Sequence, residues 1–337
     1  MFSTRLTRKG MARRAACAAI TAGALAAITM ALPATAQDYP NKPIRMVVPY
    51  PPGGATDVIG RVMAQKLSTA LGQQVVVDNR GGAAGSIGAA AVAKSAPDGY
   101  TLMTGALTSH SISAVLYGAT VGFDIDKSFA PISIVGTVPL VFVVNPTVKA
   151  NTLGELIALA KASPGSITFA SAGNGSPQHL AGELFQRVAG VKMLHVPYKG
   201  SGPAMTDLVG GQVQSMIETA PAAQALIKGG KLRALATTTR EPVGTLPGVP
   251  TAGQAGLKDF EVSSMFGVVA PAGTPAPVIA KISAALKEIL AQQEVKDNLL
   301  AQGALATWTT PQEAAQAIRA ESAKWAKVVK DGDIKGD

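Results

Sequence analysis

Val47–Asp57 reads VVPYPPGGATD, and the order of residue types in it decides the fold class. An apolar run beginning at Ile44 ends in two prolines and two glycines, after which Thr56-Asp57 opens a helical pattern. Strand, glycine loop and helix start, in that order, bring free backbone N–H groups and the positive end of a helix dipole to one place, which suits an anion. Glycine in the loop lets a ligand come close to the backbone.

Downstream, the helix places Ile59, Val62, Met63, Leu67, Ala70 and Leu71 on one face, and Gly72 stops it. Val75–Val77 is the next strand, and Gly81–Gly85 leads into an alanine-rich helix ending near Lys94. Pro97-Asp98-Gly99 is a turn before a third strand, Tyr100–Thr104. This rhythm predicts an α/β fold with a parallel sheet. Two long apolar runs, Ile132–Asn145 and Phe260–Ala270, read as crossings between two domains. Between them the pattern gives helix Thr152–Ala162, strand Ser166–Ser171, helix Pro177–Ala189 and strand Met193–Val196, then helix Ala204–Val209 and strands Val213–Ile217 and Leu232–Thr237. The tail is helical: Pro277–Gln292, then a helix opened by the capping box Thr310–Glu313 with Pro311 at its first position. Ile318, Ser322, Trp325 and Val329 form its stripe, and both tryptophans are expected in the core. One domain (37–137 with 262–337) is therefore built from both chain ends and the other (138–261) from the middle, with two connecting strands as a hinge.

Residues 1–36 read as a cleavable export signal. Arg5, Arg8, Lys9, Arg13 and Arg14 form a basic start, Ala15–Leu32 is apolar and alanine-rich, and Pro33-Ala34-Thr35-Ala36 supplies an A-x-A cleavage site. A membrane anchor would be more hydrophobic and would not end in a processing signal. Removal of the signal lowers the net charge from +9 to +4, leaving 25 basic against 21 acidic residues. The basic residues are scattered, so charge gives no nucleic-acid binder. Cys17, the only cysteine, leaves with the signal, which excludes disulfides and cysteine–zinc sites from the mature chain. Stability must then come from core size, which 47% apolar residues can supply, and about 300 residues favour two domains.

A second stretch, FASAGNGSPQHL at Phe169–Leu180, repeats the logic of the first. A strand leads to Gly173-Asn174-Gly175, then Ser176 as N-cap and Pro177 at the first helical position. Two such loops at the carboxyl ends of strands, facing each other, would make a clamp. Neither matches a nucleotide motif: no G-x-x-x-x-G-K-[ST] occurs, GNGSPQ lacks a third glycine and GGAAGSIG has the wrong spacing, so no cofactor is expected. No serine sits in G-x-S-x-G. Of the three histidines, His110, His179 and His195, His179 pairs with Glu183 at i,i+4, which reads as a local contact because no third ligand accompanies it; no metal is expected. Tyr198 could line a cleft, and Lys199 reads as a solvated loop residue.

With these residues in view, the chain resembles the Bug receptors, periplasmic solute-binding proteins of tripartite tricarboxylate transporter systems. VVPYPPGGATD, DNRGGAAGSIGA, APDGYTL, FASAGNGSPQHLAGELF, HVPYKGSGPA and LPGVPTAGQAG carry the resemblance, which extends over the whole mature chain. It implies a two-domain periplasmic-binding-protein (Venus flytrap) fold, a periplasmic location, and a small carboxylate clamped by backbone N–H groups of two loops with help from ordered water. Carried over, Tyr50, Pro52, Gly53, Gly54 and Asp57 form the first jaw, and Ala172, Asn174, Gln178 and His179 the second. Thr108, Ser109 and Tyr198 shape the walls. A carboxylate beside a bound anion repels it, so Asp57 reads better as a cap of its own helix. Where many relatives read GG-x-V-D-x-M-F-D, this chain has Gly210-Gly211-Gln212-Val213-Gln214-Ser215-Met216-Ile217-Glu218, and Gln254 stands where Glu is usual. Glu218 could receive an amine, amide or hydroxyl, or could disfavour a second carboxylate.

The expected function is a monomeric receptor that captures a small organic carboxylate and delivers it to integral membrane transporter subunits, with no reaction catalysed. The rival readings are an orphan sensor and an enzyme on the same architecture using Tyr198, His179 or Lys199.

Overall fold

The structure is a computed structural model that describes residues 39–53, 55–258 and 260–335. The expected signal and Gly54 lie outside the described residues.

Strand β1 (Ile44–Val48) feeds the first glycine loop and then helix α1 (Ala55–Leu71), in which Ile59, Met63 and Leu67 are fully buried at i,i+4 spacing. Gly72 ends α1 at φ +68°, where a side chain would be strained. Then come β2 (Val75–Asn79), a short turn, α2 (Ser86–Ala93), β3 (Thr101–Ala106) and α3 (Leu107–Tyr117). The long strand β4 (Phe129–Val144) is followed by α4 (Leu153–Ala162), β5 (Thr168–Ser171), α5 (Pro177–Ala189), β6 (Leu194–Pro197) and α6 (Ser201–Val209). Next come β7 (Ser215–Thr219), α7 (Ala220–Lys228), β8 (Arg233–Thr237) and β9 (Ser263–Pro271). The chain closes with α8 (Ala276–Ala291), α9 (Gln293–Ala301), β10 (Leu305–Ala306) and α10 (Pro311–Asp331).

The described residues from Lys42 onward pack as one body. Its strands run in the order β2-β1-β3-β9-β4-β7-β5-β6, with β8 and β10 also paired to β4. β1 lies parallel to β2 and β3, and β5 lies parallel to β6 and β7. These two parallel groups meet through antiparallel β9 and β4. β4 divides its partners: Phe129–Pro139 pairs with β9, whereas Leu140–Val144 pairs with β7 and Val141–Val144 with β8.

Two helices serve both parts of the sheet. α10 gives Ala314 and Ile318 to a cluster with Val47, Met103 and Phe129, and gives Trp325 and Val328 to a cluster with Phe142, Phe169 and Phe185. Its capping box forms as read from the sequence. Helix α3, which the sequence pattern did not reveal, places Leu107 in the first cluster and Ile112 in the second. Trp325 is fully buried, while Trp308 donates its indole N–H to the Ser283 carbonyl at 3.1 Å.

Candidate functional site

The first loop is held by a polar knot around a buried carboxylate. Asp57, in the first turn of α1, is 3% exposed. Its Oδ2 accepts the Gly53 backbone N–H at 2.8 Å and Arg61 Nε at 3.0 Å, and its Oδ1 accepts Asn79 Nδ2 at 2.8 Å. Asn79 Nδ2 also reaches the Tyr50 carbonyl at 3.0 Å, and Arg61 donates to Asn79 Oδ1 at 2.9 Å. Burial pushes the Asp57 carboxyl up, but hydrogen bonds from Arg61, Gly53 and Asn79, together with the Arg61 charge, bring it below the ordinary aspartate value. Asp57 thus holds the loop closed on its own helix. The first-turn N–H groups of Ala55 and Thr56 meet no acceptor among the described residues, as the start of a helix leaves them. Pro52 is exposed beside them.

Tyr50 donates its hydroxyl to the Ala84 carbonyl at 3.2 Å. Burial, its largest influence, lifts the phenol to about 12 against the opposing hydrogen bond with Ser109. Ala84 belongs to a run, Gly82–Gly85, in which all four residues have positive φ, an arrangement that costs the two alanines strain. A Cβ on Gly85 would lie 2.9 Å from both Tyr50 Cζ and His110 Cε1. His110 is fully buried, edge-on to Phe123, with neither ring nitrogen hydrogen-bonded among the described residues; burial takes it down to about 4, so it is neutral. Thr108 is also fully buried, its Oγ1 donating to the Ser263 carbonyl and accepting the Met265 N–H at 3.0 Å. It fastens α3 to β9, while Ser109 is the neighbour that reaches Tyr50.

The second loop is folded by its own side chains. Ser176 caps α5 by accepting the His179 N–H at 3.2 Å, and His179 Nδ1 accepts the Gly175 N–H at 3.1 Å. The Gly173 N–H donates to Ser171 Oγ, which lies 2.7 Å from His195 Nε2. His195 stacks between Phe169 and His179, with centroids 4.8 and 3.9 Å apart, and burial lowers it to about 4. His179 Nε2 stands 3.8 Å from Glu183, whose carboxyl burial raises against a hydrogen bond from Gln186. The N–H groups of Ala172 and Gln178 meet no acceptor among the described residues. Asn174 is exposed at the loop tip.

Around this loop, Gln178 Nε2 reaches Glu218 Oε1 at 3.0 Å and Ser201 Oγ at 3.2 Å. Tyr198 donates to Asp207 at 2.8 Å; burial and the Asp207 carboxylate raise its phenol pKa. Helix α3 links the loops: Ser109 meets Tyr50, and a Cβ on Gly175 would lie 2.6 Å from Leu116. Sequence reasoning missed Asn79, Arg61, Ala84, Ser171, His195, Ser201 and Asp207, although DNRGGAAGSIGA and HVPYKGSGPA already pointed to several of them.

Among the described residues no group of three His, Cys, Asp or Glu side chains could hold a metal. A groove of about 760 Å³ runs along α2, lined by Ala84, Ile87, Ala90, Tyr117 and Val121; its lining is mostly apolar and includes no residue of 50–57 or 172–179.

The family model described as "Tripartite tricarboxylate transporter family receptor" matches residues 59–334. The chain belongs to that receptor family. The chain is 42% identical over 311 residues to the protein BugT of Bordetella pertussis, covering 92% of this chain and 95% of BugT. The periplasmic binding protein BugD is 35% identical, with a TM-score of 0.71 over 89% of this chain and all of BugD. MatC of Rhodopseudomonas palustris, solved with bound malate, is 33% identical with a TM-score of 0.71 over 86% of this chain and all of MatC. BugD has the fold of a periplasmic binding protein, and this chain shares it as a mixed α/β structure with a central sheet flanked by helices.

Proposed function

We propose that this receptor captures a small organic carboxylate between two jaws and hands it, unchanged, to membrane transporter subunits. The observation that carries the reading is the pair of helix starts after glycine loops. Ala55 and Thr56 at one, and Gln178 at the other with Ala172 in the loop before it, have backbone N–H groups that meet no acceptor among the described residues. Tyr50, Pro52, Gly53, Gly54 and Asp57 build the first jaw. Ala172, Asn174, Gln178, His179 and Glu218 build the second, with Thr108, Ser109 and Tyr198 around them. Within these sets Asp57 and Thr108 act by holding backbone, since their own polar atoms are already occupied.

The jaws belong to two domains, 37–137 with 262–337, and 138–261, joined through β4 and β9. Closure follows from contacts made only in the shut state, because only differential contacts move such an equilibrium. Residues 1–36 direct export to the periplasm and are removed there, and the mature chain works as a monomer. The malate bound in MatC supports the carboxylate class. No catalytic step is assigned.

A thermal-shift screen of mono-, di- and tricarboxylates, amino acids and aromatic acids on the mature protein tests this. A true ligand at a hundred times its dissociation constant adds about 2.7 kcal/mol of stability. A panel without any shift overturns the carboxylate class, and recovery of a chemically altered ligand overturns the receptor reading.

A further inference from the structure

Glu218 is the penultimate residue of β7, 1% exposed, at the carboxyl ends of the parallel strands β5, β6 and β7. Its Oε1 accepts two donors, Gln178 Nε2 at 3.0 Å and the Thr219 N–H at 2.6 Å. Its Oε2 is equally buried and accepts none among the described residues. No ion pair among the described residues reaches the carboxyl group. A buried carboxylate oxygen without a donor is costly, and native structures supply a partner for such atoms. The partner that completes Oε1 sits on the helix whose start carries the second glycine loop, and Gln178 also touches Ser201, the first residue of α6. The carboxyl group with the unmet oxygen thus neighbours Gln178, which belongs to the second jaw proposed above.

We propose that Glu218 sets ligand choice: its Oε2 receives a hydrogen-bond donor, a hydroxyl or ammonium group, carried by the bound carboxylic acid. This rests on the carboxylate-receptor reading above. A donor-free acid leaves the oxygen unmet, and a ligand that turns a second carboxylate towards it brings two anions together in a poorly solvated place. Sites built around a buried polar group discriminate strongly against analogues lacking its partner.

The test is titration calorimetry on the mature wild-type protein with chain-length-matched triads. These are propionate, lactate and alanine; succinate, malate and aspartate; and adipate with its 2-hydroxy and 2-amino derivatives. In the triad that binds, the donor-bearing acids bind about tenfold or more tighter than the donor-free one, the size expected of one hydrogen bond to a charged group. The hydroxy and amino arms identify which donor Oε2 takes. Glu218→Gln, folded by circular dichroism, brings the triad to within about threefold of one another. Equal binding across the wild-type triad, with water meeting Oε2, overturns the proposal, as does an unchanged preference in folded Glu218→Gln. Should that variant fail to fold, the wild-type ranking alone decides. Silence from every acid overturns the carboxylate reading itself, whereas binding without preference overturns only the role of Glu218.

Discussion

The Asn79 side-chain amide donates to the Tyr50 carbonyl at 3.0 Å and to the Asp57 carboxylate at 2.8 Å. The last residue of β2 thereby ties the loop that follows β1 to the helix that follows the loop. Asn79→Ala removes both bonds and leaves a buried carboxylate oxygen without its donor. Urea unfolding should show a loss of about 2 kcal/mol, and amide exchange should rise in Tyr50–Asp57 before it rises elsewhere.

Acid stability should carry the mark of Asp57. The folded state holds this carboxyl below its ordinary value, since the Arg61, Gly53 and Asn79 bonds and the Arg61 charge outweigh burial. A group depressed on folding gives stability that is present above its unfolded pKa, about 3.9, and is lost as pH falls through the lower folded value. Denaturation midpoints measured from pH 7 down to pH 3 should therefore drop at the acid end. Asp57→Asn should be less stable than wild type at pH 7 and should show a shallower acid decline.

His179 accepts the Gly175 N–H and stacks on His195. His179→Ala frees that N–H and opens one side of the imidazole column, so the second loop loses its fixed shape. Ligand affinity should fall about tenfold, the effect of one misplaced hydrogen-bonding element, while calorimetric stability changes little more than about 1 kcal/mol.

Trp325 is fully buried and donates to Glu321 at 2.6 Å. Trp325→Ala should cost about 4 kcal/mol through the cavity and the orphaned acceptor, measured by chemical denaturation. Because α10 also seats Ala314 and Ile318 in the other cluster, both parts of the sheet should unfold in one transition.

Much of this was legible because local signals agreed with the fold. Ser176 and Pro177 open α5 where the sequence places its start, and it ends at Ala189 as read, with Gly190 in the left-handed region after it. Helix α3 was not legible: Ala106 precedes it without a side-chain cap, and LTSHSISAVLY carries residues that compete for backbone bonds. Its helicity comes from burial of Leu107, Ile112 and His110. Strand β7 begins at Ser215, two residues later than the pattern suggests. The Gln214 side chain takes the Thr168 N–H at 2.8 Å and also bonds the Thr168 hydroxyl, replacing the ladder there. At the site, the two loops were visible as glycine motifs, but the side chains that shape them were not. Asn79 and His195 come from neighbouring strands, and only the parallel pairing brings them alongside.

The shared strand β4 has a consequence for how such receptors can diversify. Phe129–Pro139 completes one ladder and Leu140–Val144 another, with α3 and α10 each seated in both cores. No single crossover can exchange one part for a homologue's, because the graft would carry half a strand and half of two helix faces. New ligand ranges on this scaffold must arise by replacement of side chains in place, with the framework inherited whole.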